Sequence, residues 1–575
     1  MKNLYTCFLL FFVVATQAQT PFQRVYTILN TKCQNSTCHS ATALDASALL
    51  RFDGDKDAVH AALFNVPATN ASSVAKSEKL VKQQHPYYSF LLRKVAGASF
   101  DADLALDANE GLLMTDTGGQ QLSNKEIEFI RQWITFGAKK TYSGNEPQPN
   151  WGLVNQFYDS LAANGINRFL PKPPKPAAGT GIQLRMGPIF LPITGEIEQE
   201  YCQQQEVNFP SLPEVYQIDG FMNQQSHHFL LFKYIDTAAA KNSNASNVNN
   251  LSKVTIVGNT SFDGDKDLTA SWQNDANLVL PTGTALFWDK KTVLDMNYHI
   301  KNFNASFVLP CDFYFNVYYK TRSASTIEMK SQLSQKIAIF LPTGVSTSTY
   351  PDPANGFLQG TKYLWMVAGH THEWGTSFDL YQKNTQGVTG TDKIYDGAGL
   401  ETNNGSYYDN SLGYWDWHHP PIEYWPNLFP IDFGGNHNAG IVSKATYNNT
   451  TGSFLGFSTQ TNGEMQLWYY MYTDMPLSTS TAINDNNSKG IHFEVMPNPM
   501  NNNGKLVYTL EKAAKVESSI LDVTGKLVAN MSSETESEGM HEIAIGNREK
   551  LASGIYFAKL SIDGIVYTKK FIVTE

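Results

Sequence analysis

Charge is scarce in this chain. Only 17% of its 575 residues are Asp, Glu, Lys or Arg, against about 25% in typical soluble proteins. Positive charge is the scarcer sign: 43 Lys and Arg stand against 53 Asp and Glu, a formal net charge of −10, which argues against a nucleic-acid partner that would want a basic face. Long apolar runs are also missing. After the first 18 residues nothing approaches the ~20 uninterrupted apolar residues of a membrane span, so no transmembrane segment is expected. Cysteine is limited to five residues. What is plentiful is aromatic side chains, at 12%, together with Asn, Ser, Thr and Gly, the composition of a β-rich exported protein. The length is enough for about three or four domains.

Met1-Lys2-Asn3, the apolar stretch Phe8–Val14 and Thr16-Gln17-Ala18 read as a secretory signal peptide over residues 1–18. Cys7 leaves with it, and Cys33, Cys38, Cys202 and Cys311 remain. An even number in an exported chain fits disulfides or covalent cofactor attachment.

The texture changes along the chain. Residues 19–140 read as helical. Ser123 ahead of Glu126 marks a helix start, and Ile127, Ile130, Trp133 and Ile134 share one face of that helix. Residues 141–180 read as a proline-rich linker, because Pro171-Lys172-Pro173-Pro174-Lys175-Pro176 cannot hold a helix or a central strand. From 181 to 480 short alternating apolar runs recur between Gly, Asn, Asp and Pro clusters, the pattern of antiparallel sandwiches or barrels. That length holds two such domains, 181–320 and 321–480. A polar break at 481–490 precedes a compact strand-rich module, 491–575, with turn residues at Gly525-Lys526 and Asp563-Gly564.

Within the two sandwiches stand His227-His228, the pair His370 and His372 around Thr371, and Met465. Imidazole suits copper, zinc, iron or nickel, while a thioether is soft and favours reduced copper, so several histidines with one methionine point to redox copper. Residues two apart on a strand share a face, so His370 and His372 can converge. His227 and His228 cannot do so on a regular strand; the backbone there must be bulged or ending, and otherwise one packs in a core while the other is solvated.

Ser226-His227-His228-Phe229-Leu230-Leu231-Phe232, His370-Thr371-His372 and Glu464-Met465 followed by Leu467–Tyr472 come in an order and spacing that resembles the type II copper, ascorbate-dependent monooxygenases, the family of the peptidylglycine hydroxylating and dopamine β-monooxygenases. The resemblance covers residues 181–480. It implies two coppers per chain: an electron-transfer copper on His227 and His228, and an oxygen-activating copper on His370, His372 and Met465. It also implies a Cys202–Cys311 disulfide, against two buried thiols as the alternative. The family's third ligand to the first copper falls on Asn297; His299, two residues on and on the same face, takes its place in this reading. Tyr469 matches a substrate-contacting tyrosine. Ala368 and Leu467 stand where peptide-hydroxylating members carry an arginine and an asparagine, so the carboxylate clamp is missing and a C-terminal glycine peptide is not the expected substrate. His418, His419 and His437 are read as surface or structural polar residues.

Cys33-Gln34-Asn35-Ser36-Thr37-Cys38-His39 resembles the attachment motif of c-type haem, with four residues between the cysteines in place of two; a Cys33–Cys38 disulfide is the alternative. Met114 and the helix after Leu122 are similar to the distal methionine loop and last helix of small c-type cytochromes. Haem c would then be held by Cys33, Cys38, His39 and Met114.

Phe493–Pro499, Asp522–Lys526, Ser553–Tyr556 and Lys569–Val573 resemble the C-terminal sorting domain of the type IX secretion system of Bacteroidetes-type bacteria. This implies passage through the periplasm to the cell surface or medium, with the module cleaved. The expected architecture is therefore mainly β: two tandem antiparallel β-sandwich copper domains, a small α-helical cytochrome c-like domain ahead of them and a small β-sandwich sorting domain behind. The expected function is hydroxylation of a C–H bond in a small-molecule or peptide substrate by dioxygen, with electrons from an external reductant or redox partner entering through the haem. A non-catalytic copper- or haem-carrying electron-transfer protein and a surface-binding sandwich with incidental histidines are the rivals.

Overall fold

The computed structural model describes residues 19–34, 39, 50–76, 78–114, 120–143, 146–193, 198–223, 226–236, 252–253, 266–272, 276–302, 306–351, 358–383, 392–402, 405–409, 411–434, 439–458, 462–477, 493–500, 504–510, 512–523, 525–545, 551–563 and 565–574. The signal-peptide residues, Cys38, His437 and the break at 481–490 lie outside them, as does the side chain of His227. The chain divides into two units, 1–477 and 478–575.

Helices form where caps and apolar stripes coincide. Helix α1 (Pro21–Lys32) starts with Pro21 in its first turn and Thr20 accepting from the Gln23 N–H, a favourable N-terminus. Helices α2 (Lys56–Leu63), α3 (Ala71–Ala75) and α4 (Phe90–Phe100) come next in the chain. Helix α5 (Asn124–Thr135) carries the full capping box, Ser123 with Glu126. Phe22 of α1 stacks on Trp133 of α5, ring centroids 5.4 Å apart, within an apolar core that also takes in Cys33, Leu92 and Ile130. The expected linker over 141–180 is corrected in part: it contains helix α6 (Trp151–Asn164), capped by Asn150 and stopped by Gly165 in the left-handed region at φ 71°. The proline segment itself is extended but docked, since Gln183 Nε2 donates to Pro173 O at 3.1 Å and Asn316 Nδ2 to Pro174 O at 3.0 Å.

The first sandwich is built from β1 (Gly181–Leu191), β2 (Glu198–Asn208), β3 (Pro213–Met222), β4 (Ser226–Tyr234), β5 (Ser252–Lys253), β6 (Lys266–Trp272), β7 (Ala276–Val279), β8 (Thr284–Phe287), β9 (Lys291–Lys301), β10 (Leu309–Thr321) and β11 (Ile327–Glu328). One sheet runs β1-β10-β3-β8-β11, with β7 also on β3, and the other β5-β2-β9-β4-β6. The second sandwich comprises β12 (Lys330–Gln335), β13 (Phe340–Leu341), β14 (Gly344–Pro351), β15 (Thr361–His370), β16 (Gly375–Lys383), β17 (Asp392–Asp396), β18 (Tyr407–Asp409), β19 (Ile422–Asp432), β20 (Gly440–Asn449), β21 (Leu455–Gly456) and β22 (Leu467–Thr473). Its main sheets are β12-β22-β15-β19-β18 and β14-β20-β16-β17. The chain passes from one sandwich to the other between Glu328, paired to β8, and Lys330, paired to β22.

Strand β22 explains how the sandwiches meet. Trp468, Tyr470 and Tyr472 enter the core of the second sandwich, while Tyr469 and Met471 join a cluster that also contains Phe229, Leu294 and Met296 of the first. The β22 sheet is thus covered on both faces, and its sequence is accordingly an unbroken apolar and aromatic run instead of an alternation. Ser331 and Tyr469 donate across the junction to Leu268 O and Thr269 O.

The helical region is held on β1 and β10 by buried charge. Arg185 binds Asp101 of the helical part and Asp312 of β10, both at 2.8 Å, and Arg131 of α5 reaches the same Asp101 at 3.3 Å. Burial raises the Asp312 carboxyl above its ordinary range despite Arg185 beside it.

The C-terminal unit holds β23 (Phe493–Met496), β24 (Gly504–Leu510), β25 (Ala514–Asp522), β26 (Leu527–Glu536), β27 (Gly539–Ile545), β28 (Gly554–Ile562) and β29 (Ile565–Val573), in sheets β23-β24-β27 and β26-β25-β28-β29. Val495, Tyr508, Val516, Leu560 and Phe571 fill its core. Asn498 ties the first motif to the last strand by accepting from Ile572 N at 2.9 Å. No helix among the described residues is long and apolar enough to cross a membrane.

Removing one member of a buried ion network leaves its partners uncompensated, which costs about 3–5 kcal/mol. Arg185→Ala is expected to lower stability by that order in urea unfolding. It should also open residues 141–180 to limited proteolysis, as the helical region loses its anchor on β1.

Candidate metal centre

On β9, Tyr298 faces the core and His299 the opposite, buried side, where it pairs in register with His228 of β4. The β4–β9 ladder shifts between Ser226, paired to Ile300, and His228, paired to His299. The irregularity that adjacent histidines require therefore falls on His227. The imidazoles of His228 and His299 lie edge to face with centroids 4.7 Å apart. Asn297 is directed elsewhere: its Nδ2 donates to Glu200 Oε1 at 2.7 Å and lies 3.4 Å from Cys202 Sγ. The structure thus sets His299, and not Asn297, beside His228.

His370 ends β15, opposite Leu467 of β22, and its ring is 6.0 Å from that of His228 and 5.3 Å from that of His372. Histidines from the two sandwiches accordingly form one continuous buried chain, with His228 9%, His370 6% and both His299 and His372 0% exposed. Burial, reinforced by the neighbouring imidazoles, holds His228 and His370 well below the ordinary histidine range, so they are neutral, the protonation state a metal ligand requires. Among the described residues no three His, Cys, Asp or Glu side chains meet as a ready-made cation site; methionine sulfur is a donor outside that set.

Glu464, absent from the sequence-derived site, organises the second half of the centre. Its Oε2 accepts from His372 N at 2.9 Å and from Met465 N at 3.0 Å, while Oε1 accepts from Trp374 N at 2.9 Å. One carboxylate thereby joins the His370–His372 segment to the Met465 segment. Burial pushes Glu464 up to about 7, against the opposing pull of those three N–H groups. His372 Nδ1 lies 2.9 Å from Gly463 O; a carbonyl only accepts, so Nδ1 carries the proton and Nε2 the lone pair. Met465 is buried, and its carbonyl accepts from Tyr447 at 2.8 Å. Between the two histidines Thr371 points away, accepting from Trp415 Nε1 at 2.9 Å. A Cβ on Gly375 would collide with the Thr371 hydroxyl, so the turn after the motif needs glycine. A carboxylate directly before the methionine of the motif was the available signal for Glu464.

Other expected residues are placed differently. Tyr469 donates its hydroxyl to Thr269 O at 3.1 Å and braces the two sandwiches. Cys202 and Cys311 are not bonded to each other, correcting the expected disulfide. Cys311 is a thiol in the apolar core beside Tyr201, raised well above its ordinary pKa by burial and by Asp312. Cys202 follows Tyr201 and so points to the other face of β2, toward Asn297. His418 and His419 lie at the surface beside Asp416. In the helical region Cys33 caps α1 and is buried. His39 Nδ1 is 2.6 Å from Leu50 O, which leaves Nε2 as its lone-pair nitrogen. Met114 packs against the helical core, and its N–H donates to Lys94 O at 2.9 Å.

Glu464→Ala takes the acceptor from three backbone N–H groups at about 1–3 kcal/mol each. A loss of roughly 3 kcal/mol or more is expected from the urea midpoint. Glu464→Gln, whose one oxygen can still accept two bonds, should lose less.

Comparison with known proteins bears on the C-terminal unit. Residues 494–574 match the family model "Secretion system C-terminal sorting domain". No curated protein matches the chain. Solved structures that match include a β-glucuronidase of Faecalibacterium prausnitzii, at 11% identity and TM-score 0.13 over 41% of this chain and 38% of that one. Another is the β-glucuronidase of Dictyoglomus thermophilum, at 8% identity and TM-score 0.13 over 42% and 43%. A third, from Ruminococcus gnavus, reaches 11% identity and TM-score 0.14 over 66% and 46%. The chain thus spans under half the length of each, and likeness at this level carries no argument about fold or function. The sorting-domain match directs this protein, through the type IX secretion machinery of Bacteroidetes, to the cell surface or exterior.

Proposed function

We propose that the chain is an exported copper-dependent monooxygenase whose reducing electrons enter through an N-terminal c-type haem. The observation that carries the reading is the meeting of His228, His299, His370 and His372 in one buried chain of rings, with Met465 tied to His372 through Glu464. Imidazoles together with a buried thioether form a donor set that fits copper better than zinc or calcium. His227, His228 and His299 would hold one copper, and His370, His372 and Met465 the other. Copper bound there would supply one-electron redox chemistry and activation of dioxygen toward a substrate C–H bond.

The chain's own residues orient and exclude. Gly463 O fixes the tautomer of His372, and Glu464 keeps the His370–His372 segment against the Met465 segment. The sandwich junction, braced by Tyr469, shuts bulk water away from the rings. Ala368 and Leu467 offer a substrate no charged anchor, which favours a weakly polar molecule over a peptide carboxylate. In the helical region Cys33, Cys38, His39 and Met114 would hold haem c, a one-electron store with a potential raised by Met/His ligation; the bond between His39 Nδ1 and Leu50 O is the support for that ligand.

A second reading is a secreted copper- or haem-carrying electron-transfer or surface-binding protein without turnover. The complete burial of His299 and His372 favours it, because buried ligands suit electron transfer as well as catalysis.

Protein purified from copper-replete cells should contain about two copper atoms per chain by mass spectrometry and one covalent haem by the reduced pyridine spectrum. With a reductant and a substrate mixture it should consume oxygen, and Met465→Ala should abolish that consumption while the haem spectrum stays unchanged. Retained copper without oxygen consumption would support the second reading, and a chain that takes up no copper would exclude the monooxygenase.

A further inference from the structure

Asn297 stands where the resemblance places a histidine ligand, yet in the structure it is bonded to a carboxylate. The β2–β9 ladder runs without a shift from Glu198 opposite Lys301 to Asn208 opposite Lys291. Within it Glu200 stands directly opposite His299, and on the other side of β9 His299 stands opposite His228. Directly opposed residues of antiparallel neighbours share a face, with Cβ atoms about 4.5–5.5 Å apart. One carboxylate and two imidazoles therefore form a row across β2, β9 and β4. Tyr201 and Tyr298, next in sequence to Glu200 and His299, leave by the opposite face into the apolar core. The row is buried, with Glu200 7%, His299 0% and His228 9% exposed.

Asn297 holds the end of that row. It lies one same-face step before His299, is fully buried, and donates from Nδ2 to Glu200 Oε1 at 2.7 Å. An amide nitrogen offers protons and no lone pair to a metal, so the residue acts as a clamp on Glu200. Lys301, one same-face step beyond His299, is buried too. A chain without the Glu200 charge would therefore present a cation to the site in its place.

This row bears on redox state. A bound metal ion is the largest charge in a buried site, and a carboxylate nearby attracts a doubly charged copper about twice as strongly as a singly charged one. Glu200 thus favours oxidised copper at the His228–His299 end. Met465 gives the other end the opposite bias, since a thioether favours reduced copper.

We propose that Glu200, clamped by Asn297, is the charge-compensating residue of the His228–His299 site and lowers the reduction potential of copper held there. Electrons then run downhill from the first sandwich to the second. The assignment rests on the copper reading above and makes Glu200 a positioning residue, which acts through the charge of the ion and not by ligating it.

Two titrations of the full exported chain test it: copper(II) followed by electron paramagnetic resonance, and copper(I) in competition with a chromogenic chelator. In Glu200→Gln, which keeps the shape and removes the charge, one of the two coppers should lose about tenfold or more in copper(II) affinity. Its copper(I) affinity should change far less, and the other copper should be unaffected. Glu200→Asp retains the charge and should retain copper(II). Asn297→Ala releases the clamp and should weaken copper(II) several-fold, again sparing copper(I). Circular dichroism and the melting curve establish that each variant is folded. Equal weakening of both oxidation states, or unchanged copper(II) affinity in Glu200→Gln and Asn297→Ala, would overturn the proposal and leave a two-copper monooxygenase standing. A full chain that binds no copper would instead overturn the monooxygenase and this assignment together.

Discussion

One carboxylate holds together two stretches of chain that lie 92 residues apart: Glu464 accepts from His372 N and, through the same oxygen, from Met465 N. Strand β15 has ended at His370 and β22 begins only at Leu467; the Met465 stretch is also held by a bridge between Glu464 and Phe457, with Glu464 N donating to Gly456 O of β21 at 2.9 Å. Three N–H groups converging on a fully buried acid compensate for its desolvation only in part, and its affinity for protons rises accordingly. The placement of His372 beside Met465 in the second sandwich thus rests on an interaction that is itself costly to bury. Such an arrangement persists where geometry matters more than stability.

The low charge of the chain has the same origin. Strands β9 and β22 are covered on both faces, so positions that would carry charge on an ordinary exposed sheet carry tyrosine, methionine, histidine or asparagine. Part of the charge retained inside does joining work. Arg185, Asp312, Asp101 and Arg131 link the helical region to the first sandwich, and the histidines lie where the two sandwiches meet. Interior polar residues thus mark the seams between parts, while others pair within one part, as Arg93 does with Glu78 and Glu110 and Lys266 with Asp295.

Much of this was legible from residues alone. Ser123 and Glu126 announced α5, and the adjacency of His227 and His228 required an irregular or ending strand if both face one side. Other features depended on register, which one sequence does not encode locally. Cys202 and Cys311 could be paired on paper, but Tyr201 takes the inward position on β2 and sends Cys202 to the other face. The 141–180 stretch was read from its prolines, and the cap and stop of α6, Asn150 and Gly165, were outweighed. The run Leu467–Tyr472 does not say that Tyr469 and Met471 pack on a different sandwich from Trp468, Tyr470 and Tyr472. Glu464 was passed over because a carboxylate beside a methionine ordinarily belongs to the surface.

The shifted register at His227 makes this part of the protein a matter of counting. Side chains on a strand obey a parity rule, and one extra residue between the Ser226–Ile300 and His228–His299 pairs reverses that parity. A substitution anywhere in β4 leaves the parity untouched and changes one side chain. Deleting a single residue at the irregularity would restore even counting and shift the chain that enters the strand at Ser226 by one position against β9. Drift in this segment is therefore tolerant of spelling and intolerant of length, and a gap in it would disturb the pairing of His228 with His299.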